Sequence, residues 1–228
     1  MDLSVREVAL MLGVTEKTVH RWLRDKAIPG HRLHDQSRFN RVEIQEWAVQ
    51  RGVKVAPEHV APAGPALELP SLRQAIERGG VHLQVAGRTP EDVLGAVARL
   101  PGIPEGVDRA LLRQLLISRE ALTSTGIGGG IAIPHPRDPL VMQIQEPVAL
   151  ACFLEQPVDF HAIDGEPVRV LFALLSPSIR THLQILSRLT FALHDATLQK
   201  LLRGPCTEEA LLSRLGAIEE SDDRRRER

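Results

Sequence analysis

The chain has 228 residues, enough for one large domain or for a small and a medium one, and an apolar share of 43% argues against wholesale disorder. Aromatics are only 3%, with no tyrosine, so any core must be aliphatic. Net charge is −1, with ten Lys/Arg against seven Asp/Glu over residues 1–54 and fourteen against nineteen over 55–220, so only the N-terminal end suggests a polyanionic partner.

Two cysteines, Cys152 and Cys206, argue against a disulfide framework and fit a reducing compartment. The N-terminus lacks a basic-then-apolar signal, and no apolar run approaches a membrane span. A cytoplasmic protein without a membrane span is expected.

The first predicted element is a helix in which Ser4 and Glu7 form a capping box ahead of Val5, Val8, Ala9 and Leu12. Gly13 supplies a turn, and Thr15 caps a second helix whose inward positions are Val19, Trp22 and Leu23. Ile28-Pro29-Gly30 breaks that helix, residues 31–39 suit a small hairpin or wing, and Asn40 with Glu43 caps a third helix burying Ile44 and Trp47. Two short helices joined by a glycine turn describe a helix-turn-helix, and the domain is read as residues 1–54.

The residues Ser4-Val5-Arg6-Glu7-Val8-Ala9, Gly13-Val14-Thr15, Thr18-Val19, Trp22-Leu23, Ile28-Pro29, Arg38-Phe39 and Trp47 resemble the excisionase-type branch of the MerR-like winged helix-turn-helix family. If the second helix enters a major groove, Lys17, Thr18, His20, Arg21 and Arg24 lie at or near its exposed face. Thr15 would then meet a phosphate, with Arg32 and Arg38 of the wing gripping the backbone. DNA is the expected partner; a solvated face or a protein-docking surface are the alternatives.

Residues 55–70 carry prolines at 57, 62, 65 and 70 without helical periodicity, and are read as a Pro/Ala linker. The second domain, 71–219, alternates helical stretches (72–78, 90–100, 107–120, 181–194 and 207–215) with strand-like ones (82–86, 148–154 and 168–175). The last two strands are nearly continuous apolar runs, as in strands covered on both faces. The fold class expected is α/β, preceded by a small, mainly α winged helix-turn-helix domain. Residues 220–228 read as a charged, frayed tail.

The stretch from Ser118 to Arg137, SREALTSTGIGGGIAIPHPR, ends in a histidine held between Pro134 and Pro136. A stiff Pro-His-Pro segment aims an imidazole with little entropy left to lose. The stretch closely resembles the phosphorylation motif of the enzyme IIA family of the phosphotransferase system, fructose–mannitol–nitrogen type, and the resemblance spans the second domain. It implies a mixed β-sheet between helices and a phosphorylated histidine, here His135, charged by an HPr-like phosphocarrier protein. It also implies that Arg119 matches the arginine of the family's Arg-Glu motif and that His182 matches its second histidine.

A loose phosphoryl-transfer transition state needs positioning and charge stabilisation, and one ring nitrogen must be exposed. Arg119 offers a guanidinium, while Ser124 and Thr125 with their hydroxyls and Gly126 and Gly128 with close backbone approach are expected to bind phosphate. Pro136 stands where many relatives have glycine or alanine, and Thr123 at a frequent glycine position; Pro136 forgoes one backbone N–H.

No CxxC or HExxH occurs, so no metal is expected, and no cofactor is implied. The Gly-Lys-Ser/Thr ending of a P-loop and the G-x-S-x-G elbow are missing too. The expected function is phosphate acceptance on His135, coupled to regulation through the N-terminal domain. The alternatives are a sugar-specific IIA component passing phosphate to a IIB subunit, and a DNA- or partner-binding regulator without phosphotransfer.

Overall fold

The computed structural model describes residues 2–25, 27–33, 36–51, 53, 70–162 and 164–226, and the chain divides into two units, Met1–Leu69 and Pro70–Arg228. In the first unit Ser4 and Glu7 exchange the two bonds of a capping box and start α1 (Val5–Met11). Gly13 turns the chain at a φ of 63°, and the Thr15 hydroxyl accepts the Thr18 N–H to start α2 (Glu16–Arg24).

Strand β1 (Asp2–Leu3) and strand β2 (His31–Leu33) both pair antiparallel with β3 (Gln36–Asn40), so the predicted wing is a hairpin. Asn40 accepts from the Val42 and Glu43 amides and starts α3 (Arg41–Gln50). Leu3, Val8, Val19, Phe39 and Ile44 form the small core. At its rim the Trp22 and Trp47 rings lie 5.0 Å apart, and Trp47 Nε1 donates to the Ala27 carbonyl at 2.5 Å. The linker, 55–70, lies outside the described residues except Pro70.

The second unit opens with α4 (Leu72–Gly79), β4 (Val81–Val85), α5 (Pro90–Val97) and α6 (Arg109–Leu122). Two short strands, β5 (Gly126–Gly128) and β6 (Ile131–Ala132), precede a 3₁₀ turn at Pro139–Met142. Long strands β7 (Val148–Val158) and β8 (Val168–Leu175) are followed by α7 (Ile179–Leu193), α8 (Ala196–Arg203) and α9 (Glu208–Arg226). The sheet order is β4-β7-β8-β6-β5, with β4/β7 and β6/β8 parallel and β7/β8 and β5/β6 antiparallel.

Both faces of the central pair are buried, which explains the unbroken apolar runs. Val148, Leu150, Cys152, Leu171, Ala173 and Leu175 share one core with Val93, Leu94 and Val97 of α5 and with Leu112 and Leu116 of α6. The alternate set, including Ala149, Ala151, Phe172 and Leu174, is buried on the other side. There α4 packs on β7 so closely that any side chain at Gly79 would collide with the Ala149 carbonyl.

Several elements differ from the sequence expectation. The glycine-rich stretch is a hairpin, because antiparallel pairing of Gly126 with Ala132 and of Gly128 with Ile131 satisfies a backbone that local propensity leaves undecided. α6 runs past Glu120 to Leu122, and α8 is an additional helix, started by Asp195 accepting the Leu198 N–H.

The charged tail is a correction. α9 continues to Arg226 because the buried Arg188 of α7 holds it, with Nη1 3.2 Å from Glu219 and Nη2 2.8 Å from Asp223. Glu219 in turn accepts from the Ser71 hydroxyl at 2.7 Å and the Leu72 N–H at 2.5 Å, joining α9 to the start of α4. Local charge density favours fraying; the tertiary ion pairs override it.

Candidate functional site

The site is built where α6 ends. Arg119, almost wholly buried, donates from Nη1 to the Thr123 carbonyl at 2.8 Å, closing the helix. Both oxygens of the Glu120 carboxylate lie 3.1 Å from the Thr125 N–H, and the Thr125 hydroxyl donates to Oε2. Burial pushes the Glu120 carboxyl up, outweighing the Thr125 bonds and the nearby Arg119 charge, which pull it down. The Ser124 hydroxyl donates to the Phe160 carbonyl and accepts the Gly126 N–H at 2.9 Å.

The hairpin then leads into the histidine. Ile133 donates its N–H to the Thr125 carbonyl at 3.0 Å, and the Pro134 carbonyl accepts from Leu174 of β8 at 2.9 Å. The His135 Nδ1 lies 2.8 Å from the Ile133 carbonyl. A carbonyl can only accept, so Nδ1 carries a proton and donates it to Ile133.

His182 sits in the first turns of α7, whose start is capped by Ser178 accepting the Thr181 N–H. Its ring lies 4.9 Å from that of His135, centroid to centroid, at an interplanar angle of 46°. Both histidines are buried.

The structure therefore brings His135 and His182 together. The expected phosphate donors have partners within the fold. The Ser124 hydroxyl donates to the Phe160 carbonyl and the Thr125 hydroxyl to Glu120 of α6, so their bonds shape the loop. Gly126 and Gly128 belong to β5, and Gly128, at a φ of 95°, turns beside Asp164. The Asp164 carboxylate accepts the Gly129 N–H at 2.8 Å and the Glu166 N–H at 3.1 Å, and these bonds hold it below the usual carboxylate range. A protein carboxylate thus takes one anion-binding amide of the glycine turn.

Two contributors escape sequence reasoning, Glu120 and Asp164. Glu120 was adjacent to Arg119 in the Arg-Glu step; nothing local marks Asp164, which reaches the turn only through the fold. The exposed His161 pairs with Asp159 at 3.3 Å, and His194 Nδ1 lies 2.7 Å from the Thr190 carbonyl of its own helix.

On the first unit Lys17, His20, Arg21 and Arg24 are exposed along α2, and Thr18 is half-buried. The Thr15 hydroxyl caps α2 and lies 3.0 Å from the Thr18 hydroxyl. Arg38 is half-buried on β3, paired in register with His31; Arg32 lies on β2, and its side chain is outside the described residues. No helix among the described residues is long and apolar enough to cross a membrane.

Comparison with known proteins agrees with this arrangement. The family described as "Helix-turn-helix domain" matches residues 3–52. The nitrogen regulatory protein of Pseudomonas aeruginosa is 39% identical over 144 residues, covering 61% of this chain and 91% of that protein. The Escherichia coli K12 protein of the same name is 37% identical over 142 residues, 61% of this chain and 83% of its own length. The crystal structure of the nitrogen regulatory protein IIA-Ntr from Neisseria meningitidis superposes with a TM-score of 0.52 at 26% identity, covering 65% of this chain and 97% of that one. The family described as "Phosphoenolpyruvate-dependent sugar phosphotransferase system, EIIA 2" matches residues 76–217, which take in the whole hairpin, both buried histidines and the sheet between them, and the chain belongs to that family.

Proposed function

We propose that His135 is a reversible phosphoryl acceptor charged by an HPr-like phosphocarrier protein, and that its phosphorylation state regulates a DNA-binding activity of the helix-turn-helix unit. The observation that carries this reading is the Nδ1–H bond from His135 to the Ile133 carbonyl, which commits Nδ1 to the backbone and assigns the nucleophile's role to Nε2. In the transfer a bond forms between Nε2 and phosphorus as the donor's N–P bond breaks, and that electron pair returns to the donor's ring nitrogen. The proton stays on Nδ1, where the carbonyl stabilises the cationic character of the phosphorylated ring.

His182 supplies a neighbouring hydrogen-bonding ring for the phosphoryl oxygens, and Arg119 supplies positive charge at the end of α6. Ser124, Thr125, Gly126 and Gly128 contribute by holding the hairpin in shape.

Similarity to the nitrogen regulatory proteins supports a regulatory use of the phosphate, and the helix-turn-helix unit gives that use an output. The exposed Lys17 and Arg21 on α2 are the proposed groove- and backbone-facing groups.

The test incubates the full chain with a phosphorylated HPr-like protein carrying radiolabel. Label should appear on the wild type and vanish in His135→Ala; equal labelling of the two refutes the assignment. In parallel, DNA affinity is titrated against salt with the chain phosphorylated and unphosphorylated. Lys17→Ala and Arg21→Ala should each lower the salt slope by about 1. Binding that ignores both phosphorylation and His135 replacement leaves a DNA reader without the switch.

A further inference from the structure

We propose that Glu120 is a positioning residue for the phosphoryl-accepting ring, fixing through Thr125 and Ile133 which nitrogen of His135 carries the proton and where the ring points. This rests on the reading of His135 as the acceptor.

The argument is a continuous run of hydrogen bonds. Glu120 takes the Thr125 N–H at 3.1 Å on each oxygen and the Thr125 hydroxyl on Oε2. The Thr125 carbonyl takes the Ile133 N–H at 3.0 Å, and the Ile133 carbonyl takes the Nδ1–H of His135 at 2.8 Å. Every link is a donor with an acceptor, so a displacement of Thr125 moves the acceptor that selects the tautomer.

The two flanks of residues 131–134 are held unequally. On one side long β8 fixes them, pairing with Ile131 and Ala132 and donating from Leu174 to the Pro134 carbonyl. On the other side short β5 contributes only the Gly126/Ala132 and Gly128/Ile131 pairs, between which the register shifts. Thr125 is the anchor beyond that irregularity, and Glu120 is the group that pins Thr125. Arg119 clamps the same loop at the Thr123 carbonyl, so consecutive residues at one helix end fix it at two points.

Burial makes this arrangement informative. Glu120 is kept in a place that penalises its charge, and the compensation comes chiefly from Thr125. A staple whose only task was to end a helix could use the solvent-facing neighbours Ala121 or Leu122, both exposed.

The experiment uses the full chain with ¹⁵N-labelled imidazoles, the His135 signals being assigned by their loss in His135→Asn. Wild type should show the Nδ1–H tautomer. Glu120→Ala and Thr125→Val should shift His135 toward a tautomer mixture and slow phosphorylation from the labelled donor about 10- to 100-fold. Thr125→Ser, which restores the hydroxyl, should match wild type in both readouts.

If Glu120→Ala fails to fold, judged by circular dichroism, Thr125→Val decides the matter, since it deletes one donor and keeps the backbone. A pure Nδ1–H signature with an unchanged rate in a folded variant overturns the inference. Failure of the acceptor reading looks different: wild type would take no label on His135, while the tautomer arm would still report on positioning.

Discussion

The rings of His135 and His182 meet at 4.9 Å although they come from a proline-flanked loop and from the first turns of α7. The 46° tilt between them puts one ring's edge toward the other's neighbourhood rather than stacking the two faces. With Nδ1 of His135 committed to its own backbone, the proposed acceptor role gives the neighbouring His182 ring the task of shaping the space around the phosphoryl group. His182→Asn should therefore leave the fold intact and cut the rate of His135 labelling roughly 10²-fold, the scale of losing one preorganised donor. Rapid-quench labelling measures it, and an unchanged rate would assign His182 to packing alone.

Glu219 ties three helices together, accepting from Ser71 and Leu72 at the start of α4 and facing Arg188 of α7. Glu219→Ala leaves a buried guanidinium with less compensation and takes away the acceptor of the first N–H of α4, for a loss of about 3 kcal/mol. That corresponds to a fall in melting temperature of roughly 10 °C. Asp223→Ala removes a carboxylate that is itself half exposed, and should lose less than about 1 kcal/mol. Denaturant titration ranks the two, and the reverse order would remove Glu219 from this role.

Burial pushes the Cys152 thiol up to about 12, and Cys206 is raised for the same reason. Native protein at pH 8 should resist alkylation at Cys152 over hours, whereas the unfolded chain should react at both thiols within minutes. Mass spectrometry of the alkylated peptides reads the outcome; rapid native labelling of Cys152 would show that β7 opens readily.

The Glu120 carboxyl is raised in the fold, chiefly by desolvation. The folded chain therefore holds that proton more tightly than the unfolded chain. Stability tied to Glu120 is greatest at low pH and declines as pH climbs from the unfolded carboxyl range through the folded value. Glu120→Gln has no such proton, so the stability advantage of wild type over this variant should shrink as pH rises from the unfolded carboxyl range through the raised folded value. Urea unfolding across that range tests the sign, and an advantage that grows with pH would mean a lowered carboxyl.

Much of the molecule could be read from local chemistry. The caps at Ser4, Thr15 and Asn40 and the glycine turn at Gly13 start and stop the first unit's helices, because each is a short-range backbone–side-chain bargain. The apolar runs of β7 and β8 declared strands covered on both faces. The proline-flanked His135 stood out because few uses require a ring so restrained.

Long-range pairing was not legible in this way. Ser124 and Thr125 have the composition of phosphate ligands, yet their hydroxyls turn to Phe160 and Glu120, partners that only the folded chain supplies. The residues after Glu219 have the composition of a loose tail, yet Arg188 holds them in a helix.

By itself the sequence determined the helix boundaries set by caps, the two buried strands and the identity of the restrained histidine, since these depend on neighbours a few residues away. Only the tertiary structure decided that the His135 Nδ1–H faces the Ile133 carbonyl, that the His182 ring lies 4.9 Å from it and that Glu120 holds Thr125. Burial and hydrogen-bond direction are properties of groups brought together across the chain, and no local pattern encodes them.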